Sequence, residues 1–104
     1  MAQFDVYENT NTETKKTIPY LLDVQTDLLY ELTTRAVVPL IVTSAMGKAA
    51  KHLNPQFNIG QTVVIMSTSE LAGVPVHILG DKICSLKEQR HEIVAALDFL
   101  FAGF

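Results

Sequence analysis

Ser85-Leu86-Lys87-Glu88-Gln89-Arg90-His91-Glu92-Ile93-Val94-Ala95-Ala96-Leu97-Asp98-Phe99-Leu100-Phe101-Ala102-Gly103-Phe104 closes the sequence, and its reading decides the architecture. Ser85 and Glu88 stand in capping-box register, Ser85 as N-cap and Glu88 at the third helical position. Leu86, Ile93, Leu97, Leu100 and Phe104 keep helical spacing. Gly103 stands where a glycine ends a helix. The stretch predicts one helix over about residues 86–102. Its first half is polar, and from Ile93 onward Asp98 is the only charged side chain. A surface helix needs one apolar stripe. Here Ile93, Leu97, Leu100 and Phe104 can cover a sheet, while Val94, Phe101 and Ala102 form a second apolar face around Asp98. That second face is covered by another copy of the chain, by a different partner, or by a loop of the same chain.

Working back from the helix, the chain reads as β. Phe4 to Tyr7 alternates as a strand, and Glu8 to Thr17 is wholly polar, a long mobile hairpin connection. Ile18 to Val24 is a strand. Leu28-Leu29-Tyr30 is an apolar run inside the next connection, which either closes the end of a barrel or belongs to a partner surface. Ala36 to Thr43 is a continuous strand with Pro39 in its middle, where a bulge or bend is expected. One or two helical turns fit around Ala45 to His52. Phe57 to Ile59, Gly60-Gln61 and Thr62 to Ser67 form the clearest hairpin. Val74 to Leu79 reads as a strand, with Gly80-Asp81 as a turn. About five core strands, spanning about residues 3–79, thus precede the helix.

The chain has 104 residues, 48% of them hydrophobic and 18% charged. That is one domain, residues 1–104, and too apolar for disorder. A mean hydropathy of +0.22 suggests apolar surface left for a partner. The net charge is −3 and the 8 Lys and Arg are scattered, which argues against direct nucleic-acid binding. No basic segment leads into an apolar run at Met1 to Asp5, and no stretch reaches the roughly 20 residues that span a bilayer. Cys84 is the single cysteine. A cytoplasmic protein without membrane contact is the expectation.

Catalytic signatures are missing. The sequence holds no phosphate-binding or dinucleotide glycine motif, no HExxH and no GxSxG. His52, His77 and His91 lack ligand spacing, and His77 reads as a strand residue. Cys84 is either a reactive thiol before a helix or a small buried hydrophobe. Asp23, Asp27, Arg35 and Glu70 could supply acid–base chemistry, but nothing in their spacing demands it. No catalytic residue, metal or cofactor is expected.

Several pieces nonetheless form a colinear pattern: Gln3-Phe4-x-Val6-Tyr7, Asp23-Val24-Gln25-Thr26-Asp27-Leu28-Leu29, Arg35-x-Val37-Val38-Pro39-Leu40, Asn58-Ile59-Gly60, Val74-Pro75-Val76, Leu79-Gly80 and the terminal Phe101-Ala102-Gly103-Phe104. In this order and spacing the sequence resembles the CcdB toxins of type II toxin–antitoxin modules, over nearly its whole length. The resemblance implies a small SH3-like antiparallel β-barrel with a C-terminal helix, shared with the MazF and Kid ribonuclease toxins. It implies a homodimer with paired C-terminal helices, here through Leu97, Leu100 and Phe101. It implies binding to the A subunit of DNA gyrase and trapping of the cleaved-DNA complex, without catalysis of its own. A CcdA-like antitoxin would neutralise it. Carried over by position, the gyrase contacts fall on Thr26, Asp27, Leu28, Leu29, Asp98, Ala102, Gly103 and Phe104. The sequence departs from the family at Ala102, where Trp is common, and at Asp98, where Asn is common. Two other readings stand beside this one: an endoribonuclease on the same barrel, and a weakened relative that binds antitoxin only.

Overall fold

The computed structural model describes residues 1–103, so Phe104 lies outside the described residues. Seven strands precede one helix: β1 Asp5–Asn9, β2 Tyr20–Asp23, β3 Thr34–Val42, β4 Gln56–Ile59, β5 Thr62–Met66, β6 Ala72–Pro75, β7 Leu79–Ser85, and α1 Arg90–Ala102. All pair antiparallel in one curled sheet of order β4-β5-β3-β2-β1-β7, with β6 also on β3. No ladder joins β4 to β7 among the described residues, so the barrel is open there. The fold is the expected small β-barrel with a C-terminal helix. No helix is long and apolar enough to cross a membrane among these residues.

The core follows from strand alternation. Val6, Leu22, Val38, Leu40, Phe57, Ile59, Val64 and Met66 face inward, and Leu86, Ile93 and Ala96 close over them. Strand β3 is central because its residues are buried on both faces: Val37 and Val38, then Leu40 and Ile41. It pairs along β2 on one side. On its other side it pairs with β6 up to Val37↔Ala72 and with β5 from Leu40↔Met66. Pro39 sits in the gap between these two partners. Its carbonyl accepts from Ser67 N at 2.9 Å, so its missing N–H lies on the side where no strand donor is needed. The bulge expected at Pro39 is therefore absent, and the β2 register runs unbroken from Tyr20↔Leu40 to Asp23↔Val37.

Four further expectations are corrected. Residues 45–52 form no helix, only turns at Ala45 and at Lys51 and His52 with an irregular stretch between them. The strand expected over Val74 to Leu79 breaks at Pro75 into a 3-10 turn, Val76–Ile78, which carries His77 exposed. Gly80-Asp81 is no turn but the start of β7, an edge strand too polar to show the alternation of a buried one. A Cβ at Gly80 would lie 2.9 Å from the Glu8 carbonyl oxygen, so close strand approach is why glycine stands there. Ser85 does not cap α1, because a 3-10 turn over Lys87–Gln89 intervenes and Gln89 is the N-cap. The Ser85 hydroxyl accepts instead from Lys87 N at 3.2 Å. The other end is as expected: Gly103 has φ 80°, and its N–H donates to Phe99 O at 3.0 Å.

Candidate functional site

Two exposed apolar regions stand out. The first is the connection from β2 to β3. Asp27–Leu29 forms a 3-10 turn with no buried residue. Leu28 is 88% exposed and Tyr30 71%, with Leu29 and Leu32 also exposed. The run therefore closes no barrel end; it is surface. Beside it lies a groove of about 790 Å³ walled by Met1, Tyr30, Leu32 and Val76, with His77 and Arg35 also lining it.

No residue of the turn is buried, and polar ties hold it. Thr26 Oγ1 accepts from Leu28 N at 3.4 Å. Asp27 Oδ1 accepts from Gln3 N at 2.7 Å. Gln3 Nε2 donates to Val24 O at 3.1 Å. The next residue, Phe4, is buried at φ 73°, a conformation costly for a side chain with a Cβ. Backbone bonds fix it, from its N–H to Asp23 O and from Leu86 N–H to its own carbonyl.

Beneath the turn lies a buried ion pair. Arg35 Nε donates to Asp23 Oδ2 at 2.8 Å, and Nη2 lies 2.6 Å from the same oxygen. The Asp23 side chain is fully buried and that of Arg35 is 2% exposed. Nη2 has no acceptor in line with its hydrogens. The pair joins β2 to β3 where their ladder ends. Burial pushes the Asp23 carboxyl above its ordinary value of 3.8, outweighing the adjacent guanidinium. The Tyr7 phenol donates to Asp5 Oδ2 at 3.1 Å. Burial, and next the charge of Asp5, push that phenol up to about 12.

The second region is the outer side of α1. Ile93 and Ala96 are buried, Leu97 is half-buried against the core, and Leu100 is half-buried. Val94, Asp98, Phe99, Phe101, Ala102 and Gly103 are exposed, Phe101 at 71%. The Phe99 ring lies beside exposed His52, with centroids 5.9 Å apart and planes tilted by 55°. The second apolar face read from periodicity is thus uncovered in the single chain, and no loop packs over Phe101.

Exposed apolar side chains at two places suit association with another surface. The described acid–base candidates do not converge: Asp23 and Arg35 neutralise each other inside, while Asp27 and Glu70 are exposed. Cys84 lies in β7 opposite Val6 rather than at the start of a helix, and burial pushes its thiol up, against the direction a reactive thiol needs. No group of three or more potential metal ligands occurs among the described residues. The pattern of the sequence left Leu28 and Leu29 open between a barrel end and a surface; they are exposed, as are Asp98, Ala102 and Gly103. Sequence reasoning missed Gln3 and Gln25 as supports of the turn, and it missed the groove. Their only signal was polar side chains between strand ends, which any loop also shows. A family model described as CcdB protein matches residues 3–103. The chain belongs to the CcdB family, the toxins of toxin–antitoxin modules.

Proposed function

We propose that the protein acts by binding the A subunit of DNA gyrase and holding the enzyme on cleaved DNA. It would do so without a reaction of its own, and a CcdA-like antitoxin would counteract it. The observation that carries this reading is the exposure of Leu28, with Leu29, on a turn that buries nothing. Leaving such a side chain in water forgoes roughly 1.5–3 kcal/mol of burial, which a partner can recover. Thr26 and Asp27 flank the pair. Asp98, Ala102 and Gly103 would form the second contact on the helix end, together with Phe104 outside the described residues. Phe101, with the half-buried Leu97 and Leu100, would pair the helices of a homodimer in the cytoplasm.

Net charge −3 and an Arg35 already buried against Asp23 weigh against the endoribonuclease reading, which needs accessible cations for phosphate. The test mixes purified protein with gyrase, supercoiled plasmid and ATP. Linear DNA accumulating after detergent and protease supports gyrase trapping. RNA cleavage without gyrase would overturn it in favour of a ribonuclease. Antitoxin binding with neither activity would mean a relative that has lost its target.

A further inference from the structure

Gln25 occupies an unusual place at the root of the exposed turn. It is 9% exposed although its neighbours Thr26 and Asp27 are exposed. The β2–β3 ladder ends at Asp23↔Val37, followed by one more backbone bond, from Val24 N to Ala36 O. The chain then leaves the sheet for the turn, which would orphan the next donor on β3, Ala36 N. The side chain of Gln25 supplies the missing acceptor: Ala36 N donates to Gln25 Oε1 at 3.0 Å. The other end of the same amide reaches the far side of the turn, where Nε2 donates to Leu29 O at 3.1 Å. Its backbone is fixed as well, with Gln25 N donating to Asp23 Oδ1 at 3.0 Å. One primary amide thus continues the ladder in place of a peptide group and ties the C-terminal end of the turn to β3.

This matters because no apolar residue of the turn is buried; Leu29, 46% exposed, is only partly covered. The turn's remaining hydrogen bonds, Leu28 N–H to Thr26 Oγ1 and Leu29 N–H to Thr26 O, lie within the turn or at its start. Asp27 ties the start to Gln3. Leu29 O also accepts from Leu32 N, but that bond stays within the connection. Among the hydrogen bonds of the described residues, only those of Gln25 link Leu29 to the sheet. We infer that Gln25 is a positioning residue: its amide sets the height and orientation at which Leu28 and Leu29 are presented to the partner protein. The chemistry is specific to glutamine. Glutamate keeps the acceptor for Ala36 N but cannot donate to Leu29 O, and methionine fills the space with neither.

The inference rests on the reading that Leu28 and Leu29 contact gyrase, and the experiment separates the two. Gln25→Met, Gln25→Glu, Leu28→Ser and the double variant Gln25→Met/Leu28→Ser are compared in the gyrase cleavage assay. Amide hydrogen exchange is followed at Leu29, Leu32 and Ala36 against the core amides Val38 and Ile65. Gln25→Met is expected to raise the concentration for half-maximal cleavage by about tenfold, as loss of one or two hydrogen bonds implies. It should speed exchange at Ala36 and Leu32 while the core amides stay protected. Gln25→Glu should keep Ala36 protected and free Leu32. In the Leu28→Ser background, Gln25→Met should add little, because it acts through the turn. Full additivity, or a loss of protection that spreads to Val38 and Ile65, would overturn the positioning role in favour of general stability. Unchanged exchange at Ala36 and Leu32 in Gln25→Met would overturn it too. If Leu28→Ser leaves gyrase cleavage intact, the gyrase contact at the turn is wrong, and the exchange data still decide what Gln25 holds.

Discussion

The β2–β3 turn and helix α1 both keep large apolar side chains in water, but they are held in place by opposite means. The helix is anchored by what it buries: Ile93 and Ala96 are 0% and 1% exposed, and Phe101 projects from the other side of the same rigid rod. No residue of the turn is buried, and it is held by hydrogen bonds involving Gln3, Gln25 and Thr26 and by the Asp23–Arg35 pair below it. Apolar anchoring is tolerant, because packing energy is spread over many contacts. Polar anchoring is geometric, because each tie depends on one donor and one acceptor. The two exposed apolar surfaces thus differ: the one on the helix tolerates conservative change and the one on the turn does not.

The largest break in this contrast is Arg35→Met. It leaves Asp23 buried without its partner and should cost about 3–5 kcal/mol, read from denaturant unfolding. The pH dependence carries a sign. Burial raises the Asp23 pKa in the folded protein above 3.8, so this group's contribution to stability is fully present below pH 3.8. It is lost as pH rises through the folded value. The deficit of Arg35→Met should therefore shrink on acidification, and a deficit that grows toward low pH would contradict the assignment. Ile93→Ala is next, expected at about 2–4 kcal/mol, with thermal unfolding as the readout. The turn residues should keep native-like exchange in that variant once it is folded. Gly103→Ala forces a Cβ into φ 80° with open space around it, so only backbone strain of about 1 kcal/mol is expected, confined to the helix end. The smallest is Thr26→Ala, whose lost cap bond of 3.4 Å should cost a few tenths of a kcal/mol.

A different variant sharpens the contrast for function. Ala102→Trp restores the aromatic common in the family at an exposed position. If the helix end contacts gyrase, stacking should lower the concentration for half-maximal cleavage about three- to tenfold without changing stability. A change in stability alone would place Ala102 outside the contact.

Legibility differed by element. The hairpin β4–β5 and the cap at Gly103 were readable because turn chemistry and left-handed glycine are local. The helix was readable because its apolar period repeats. Its start was not, since Ser85 and Glu88 satisfy the capping pattern while the chain is still leaving β7. Strand β7 was invisible because Gly80, Asp81 and Lys82 lack a buried face. Pro39 misled because its missing donor costs nothing where β6 gives way to β5.

The order of residues carried the class of the fold, the family, and the surplus of apolar side chains at Leu28, Leu29 and the end of α1. These depend on composition, period and motif, which need no neighbours in space. Which apolar residues stay exposed, and what holds them out, came only with packing. Gln25 reaches Ala36 and Arg35 reaches Asp23 across eleven and twelve residues of chain. No local pattern encodes such a contact, because it exists only once the strands have paired and brought the two polar groups within hydrogen-bond reach.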